Sequence, residues 1–197
     1  MFRCLTYSRE DIERLDFDAA LGAISPQRRA YILRYRHDMD RRLCLAATLL
    51  LQQALHEEFG IPSLPPLVYA PQGKPYIEGR PDIHFSLSHC RELAACVVSS
   101  QPVGIDVESI GAYDEDVAMA TMNVDELQRI ARSAWPDVAF TRLWTMKESF
   151  LKLTGEGLRN DMKDVLADAA DYSFACQEHP DEGYVLTLCQ KRLATKE

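Results

Sequence analysis

The order of helix and strand signals along the chain predicts an α+β fold. Helical patterning fills residues 25 to 59, alternating strand patterns fill residues 83 to 107, and helices followed by strands return in the remainder. A boundary near Ser99 to Pro102 would split the 197 residues into two halves of similar make-up, although no internal sequence repeat stands out.

Ser25-Pro26 opens the first helical segment, with proline in the first turn where its missing N–H costs nothing. Leu43 to Phe59 reads as a largely buried helix stopped by Gly60-Ile61-Pro62. Residues 61 to 82 hold Pro62, Pro65, Pro66, Pro71, Pro75 and Pro81, so they read as turns with a short extended piece at Leu67-Val68-Tyr69. Ile83 to Ser88 and Val103 to Val107 alternate apolar and polar residues, and Leu93 to Val98 is a buried run, which gives three strands. Helices are expected at Val117 to Ala120, at Asp125 to Arg132 with acids in its first turn, and at Val138 to Leu153, ending before Gly155. Tyr172 to Ala175 and Tyr184 to Leu188 alternate again and should pair as a hairpin across Pro180 to Gly183.

A hydrophobic fraction of 47% and a charged fraction of 26% are those of an ordinary folded protein. The formal charge of −8 argues against a nucleic-acid binder, which needs a basic excess to neutralise phosphates. A basic island nevertheless stands at residues 28 to 42, where Arg28, Arg29, Arg34, Arg36, Arg41 and Arg42 meet only Asp38 and Asp40. The N-terminal residues lack a signal-peptide run, and the longest apolar stretch, near residues 43 to 51, falls short of the ~20 residues that span a bilayer. A cytoplasmic protein with no membrane partner is expected. Its six cysteines form no CxxC pair, so they read as reduced thiols rather than a zinc or redox motif.

Two short constellations carry chemistry. In Gly104-Ile105-Asp106-Val107-Glu108, strand alternation puts both carboxylates on one face, where they are either solvated or bridged by a cation such as magnesium. In the helix ending at Leu153, Leu143, Trp144, Phe150 and Leu151 are expected on the buried side, with Lys147, Glu148 and Lys152 on another. Glu148 and Lys152, one turn apart, form either a surface ion pair or part of a phosphate and metal site. Gly155 and Gly157 then permit positive φ and close backbone approach to a ligand. His89 and Lys74 are each unremarkable alone, and the combination is what points to a phosphorylated ligand.

Placed side by side, the blocks GKP (Gly73 to Pro75), FSLSHC (Phe85 to Cys90), VGIDVE (Val103 to Glu108) and WTMKESFLKLTGEGL (Trp144 to Leu158) resemble the 4'-phosphopantetheinyl transferases of the surfactin-synthetase-activating type. The resemblance implies a pseudo-twofold fold of two similar α/β halves, with coenzyme A held between residues 1–101 and residues 102–197. It implies transfer of phosphopantetheine from coenzyme A to a serine of an acyl or peptidyl carrier protein, releasing adenosine 3',5'-bisphosphate, by a monomeric enzyme. Carried over by position, Asp106, Glu108 and Glu148 match magnesium ligands, and Lys152 matches the lysine that contacts the phosphates and protonates the leaving group. Ser88 and His89 match phosphate-binding residues, Lys74 a basic residue near the 3'-phosphate, and Arg41 and Arg42 another phosphate-binding segment. Glu148 is also the expected base for the carrier serine. Glu126 matches an acid that some members place near the metal, and equally reads as a first-turn helix acid. The family usually has Asn at Ser86 and Ser at Cys90.

Competing readings are a metal-dependent nuclease, opposed by the negative charge and the SHC and GKP blocks, and a non-catalytic coenzyme A or carrier-protein binding module. In a decayed module an acid or the lysine should be lost, yet Asp106, Glu108, Glu148 and Lys152 are all present. Arg129, Arg132 and apolar residues near Met119 to Met122 are candidate contacts for an acidic carrier helix.

Overall fold

A computed structural model describes residues 2–157 and 161–192; Leu158, which closes the last motif block, lies outside them. The first half runs β1 (Phe2–Ser8), α1 (Arg9–Arg14), α2 (Phe17–Ala23), α3 (Pro26–Ile32), α4 (Asp38–Phe59), β2 (Leu67–Tyr69), β3 (Pro75–Ile77), β4 (His84–His89) and β5 (Leu93–Ser99). The second runs β6 (Val103–Ser109), α5 (Glu115–Thr121), α6 (Val124–Ala131), α7 (Pro136–Thr154), a 3-10 turn at Val165–Asp168, β7 (Tyr172–His179) and β8 (Tyr184–Lys191). This is an α+β fold in which one plan is used twice. Each half opens on a strand, passes through short helices into one long helix, and ends on two strands. Each forms an antiparallel sheet with its last strand in the middle, in the orders β1-β5-β4 and β6-β8-β7.

Local chemistry accounts for the boundaries. Ser25 Oγ accepts from Arg28 N at the start of α3. Gly60 and Gly155 end α4 and α7 in the left-handed region at φ 66° and 79°, which glycine adopts without a Cβ penalty. Helix α4 begins at Asp38, five residues before the expected apolar run, and Arg41 and Arg42 in this early part bond the carbonyls of Tyr35, Ile12 and Leu15. Proline at its start did not prevent β3 from pairing with β2, since this two-stranded ribbon leaves the proline at an end.

The first β-strand and the two short helices after it had not been expected. Strand β1 pairs along its whole length with β5, from Phe2 opposite Ser99 to Ser8 opposite Leu93. A Ser8/Asp11 capping box starts α1, a signal that was present in the sequence.

The all-apolar run of β5 has a simple cause. Ala94, Cys96 and Val98 face α4 and its Leu50, Leu51 and Leu55, while Leu93, Ala95 and Val97 face Ile105 and Val107 of β6 and Leu186 and Leu188 of β8. The strand is therefore buried on both faces and carries the core of each half.

At the seam, the edges of the two sheets are joined by side chains. Ser86 Oγ of β4 accepts from Ile105 N of β6 at 3.1 Å, and Ser88 Oγ accepts from Val107 N at 3.2 Å. On its other side β6 receives α7 so closely that a Cβ on Gly104 would overlap the Ser149 carbonyl and lie 2.8 Å from Leu153 N. That glycine places the acids of β6 beside those of α7.

Among the described residues no helix is long and apolar enough to cross a membrane. The six cysteines are all free.

Candidate active site

Between the halves lies a cleft of about 300 Å³. Strand β6 presents Asp106 and Glu108, α7 presents Glu148 and Lys152 one turn apart, and the end of β4 presents Ser88 and His89. The first half completes the wall with Arg28, Tyr31 and Tyr69.

Asp106 is the pivot. It is 2% exposed, and its Oδ1 accepts from Lys152 Nζ at 2.6 Å and from Ser88 Oγ at 2.9 Å. Lys152 Nζ also donates to Ser88 Oγ at 2.8 Å. The Ser88 hydroxyl is thus fully engaged: it accepts from Lys152 and the Val107 amide and gives its proton to Asp106. Expected to bind phosphate, Ser88 lines the cleft with its hydroxyl committed to Asp106 and Lys152, which it organises.

Among the described residues, two buried side-chain oxygens lack any donor: Asp106 Oδ2 and Glu148 Oε1. A buried acceptor left without a partner costs about 1–3 kcal/mol, so this pair marks a place built for something the chain does not itself provide. Burial, with the Asp106 charge nearby, raises the proton affinity of Glu148 above the ordinary carboxylate range. The same causes push Glu108 up to about 7, against the opposing pull of Lys152 and a hydrogen bond from Trp144. Clustered acids of this kind are destabilised until a cation joins them. No group of three acid, cysteine or histidine side chains among the described residues is drawn together as a complete cage. The donor set fits magnesium in its usual form, one or two carboxylates with the remaining positions left to water and substrate phosphate.

The basic residues are distributed differently from the expectation. Arg41 spends its guanidinium on Tyr35 O and Asp38, and Arg42 on Ile12 O and Leu15 O, and neither lines the cleft. They fasten the start of α4 to the preceding loops. Of the arginines in the basic island, Arg28 lines the cleft. It is 9% exposed, bonds Thr48 Oγ1 at 3.0 Å and Tyr69 Oη at 3.3 Å, and lies over the Tyr31 ring at 4.6 Å. Among the described residues no carboxylate pairs with it, so it is a buried cation awaiting an anion. A signal existed in the sequence, since Arg28 is the first arginine after the Ser25-Pro26 helix start, but six arginines in fifteen residues gave no means of choosing.

Lys74 lies at the other side of Glu148, where its Nζ caps α7 by donating to Leu153 O at 2.7 Å, and burial lowers its proton affinity. His89 lines the cleft, and burial together with Lys152 holds it below the ordinary imidazole value, so it is neutral near pH 7.

Lys147 corrects the expected division of the helix. It is 0% exposed, and its ammonium bonds Glu126 Oε2 at 2.7 Å, Met162 O at 2.7 Å, Thr121 O at 3.0 Å and Lys163 O at 3.2 Å. Glu126 is accordingly its buried ion partner and the capping residue of α6, and it does not line the cleft. Of the candidate carrier contacts, Met119 is 47% exposed while Met122 is buried in the core.

Residues 12–102 match the family model described as 4'-phosphopantetheinyl transferase, N-terminal, and residues 102–195 match that of the 4'-phosphopantetheinyl transferase superfamily. A 4'-phosphopantetheinyl transferase of Bacillus subtilis is 31% identical over 83% of this chain and 75% of its own length. The chain belongs to the 4'-phosphopantetheinyl transferase family. The transferase psf-1 of Bacillus pumilus is 28% identical over 96% of this chain and 86% of its own, and Sfp of Bacillus subtilis strain 168 is 30% identical over 77% and 66%. The two family matches meet at residue 102, between β5 and β6, and the cleft takes side chains from both.

Proposed function

We propose that this chain transfers the 4'-phosphopantetheine group of coenzyme A to a serine of an acyl or peptidyl carrier protein, releasing adenosine 3',5'-bisphosphate, with magnesium. The observation that carries this reading is the orphaned pair Asp106 Oδ2 and Glu148 Oε1, on residues that line the same cleft as the buried guanidinium of Arg28, with which no carboxylate among the described residues pairs. Acids that need a cation and a cation that needs an anion, lining one cleft, would suit a pyrophosphate held together with a magnesium ion.

Residues 1–101 then hold the nucleotide end, through Arg28, His89 and the stacked Tyr31 and Tyr69 rings, whose centroids are 6.2 Å apart. Residues 102–197 hold the metal ligands and the proton-transfer groups. Asp106, Glu108 and Glu148 would bind magnesium, which when bound draws negative charge from the pyrophosphate oxygens. The carrier serine Oγ attacks the phosphorus that bears pantetheine, and the bond from that phosphorus to the bridging oxygen of adenosine bisphosphate breaks. Glu148, its proton affinity raised by burial, accepts the serine proton directly or through a water. Lys152 Nζ, held by Asp106 and Ser88, offsets charge on the leaving oxygen and is placed to give it a proton. The enzyme works on its own in the cytoplasm, where thiols such as its six cysteines stay reduced.

The test is a stoichiometry. With coenzyme A, magnesium and an apo carrier protein, adenosine 3',5'-bisphosphate should appear in step with consumption of apo carrier, and chelation of the metal should stop both. Release of nucleotide without a carrier, or none with any carrier, contradicts the reading.

A further inference from the structure

The seam between the two halves has a regular spacing. Ser86 and Ser88 of β4 accept from the amides of Ile105 and Val107 of β6, two residues apart on each strand. The next residue of that series on β6 is Ser109, but β4 ends at His89 and offers it no serine. Its partner comes from the β4–β5 turn instead, where Glu92 Oε2 accepts from Ser109 Oγ.

These three bonds bracket the acids of β6. Asp106 lies between the first and second, and Glu108 between the second and third. The third bond also joins the halves close to the cleft, because Glu92 follows His89 by three residues and Ser109 is next to Glu108. Glu92 is held for this contact: its side chain is 16% exposed and its Oε1 accepts from Arg91 Nε at 2.7 Å. The turn that carries it is pinned by Cys90 N donating to Leu93 O at 2.9 Å.

Glu108 has more need of such a tie than Asp106. Asp106 is gripped by Lys152 and Ser88, whereas Glu108 is the last residue but one of its strand and is repelled by the charges of Asp106 and Glu148. Groups behind a metal ligand fix its geometry and are felt in metal affinity. Resting on the function proposed above, we infer that Glu92 is a positioning residue for it: through Ser109 it fixes the end of β6, and with it Glu108, against the His89 end of β4, so that metal and phosphate contacts from the two halves fall on one pyrophosphate.

The experiment is calorimetric titration of the wild type, Glu92→Ala, Ser109→Ala and the double variant with coenzyme A, in magnesium and in chelator, and with adenosine 3',5'-bisphosphate. Thermal unfolding of each variant accompanies it, and Glu92→Gln, whose amide oxygen still accepts from Ser109, serves as the milder change. The expected result is coenzyme A binding weakened ~10-fold in magnesium by Glu92→Ala, with binding in chelator and of the bisphosphate unchanged. Ser109→Ala should lose as much, the double variant no more than either, and Glu92→Gln should retain most of the affinity. Equal weakening with and without metal would make Glu92 a general prop of the fold. Losses that add in the double variant would mean that Glu92 does not act through Ser109, and unchanged binding in Glu92→Ala would mean that Glu108 needs no such tie; any of the three overturns the inference. Failure of the wild type to bind coenzyme A at all would instead overturn the function on which it rests.

Discussion

Asp106 shows how much one side chain is asked to do. One of its oxygens takes donors from Lys152 and Ser88, and the other is buried with none. Asp106→Asn keeps the shape and loses the charge, so coenzyme A binding in magnesium should fall at least ~10-fold while binding without metal changes little, as calorimetry would show. Glu148→Gln separates two roles: if Glu148 is the base, the transfer rate falls well beyond any loss of coenzyme A binding, and a proportional fall in both leaves it a ligand only. Glu108 gives a pH test. Its folded value of about 7 exceeds the ordinary 4.5, so between these the native state holds more protons than the unfolded chain. The metal-free protein therefore loses stability as pH rises through that window, and thermal unfolding should show Tm falling from about pH 5 to about pH 8, with a flatter slope in Glu108→Gln. Magnesium needs the deprotonated carboxylate, so its affinity should rise over the same range. The acids were legible because strand alternation and helix periodicity put them on defined faces, whereas the partners of Ser88 depend on a seam between sheets that no local pattern encodes.

Packing of whole elements explains what the periodicity of α7 missed. Periodicity puts Lys147 on a polar face, yet three segments bring acceptors to it: carbonyls from the end of α5 and from residues 162–163, and the Glu126 carboxylate from the start of α6. A fully buried ammonium is tolerated because every donor is matched. Lys147→Met should cost about 3–5 kcal/mol in chemical denaturation by stranding Glu126, and adding Glu126→Leu should recover part of that loss. Gly104 is the converse case, a position defined by what cannot be there. Gly104→Ala would drive α7 off β6, destabilising the fold by about 1–3 kcal/mol or more and lowering transfer with it. Ser86→Ala removes a bond to Ile105 N, so denaturation should show about 1 kcal/mol lost with coenzyme A affinity nearly intact. The long helices and the terminal hairpin were readable because period and caps agree; β1 was not, because its strand character comes from pairing with β5 across 90 residues of chain.

The molecule as a whole is one strand-and-helix plan used twice, which no sequence repeat discloses because each half has specialised. The first supplies a buried arginine and aromatic rings and the second supplies acids and a lysine, and only their juxtaposition makes a site. That division also explains why charge was a poor guide to function: a net −8 coexists with a buried arginine in the cleft. The most direct test of the account is intact-mass spectrometry of apo carrier proteins incubated with this enzyme, coenzyme A and magnesium, beside carriers whose acceptor serine is replaced by alanine. The account predicts a gain of roughly 340 Da on the native carrier, absent from the alanine form and after removal of metal. A gain on the alanine form, or none on any carrier while coenzyme A demonstrably binds, would contradict it.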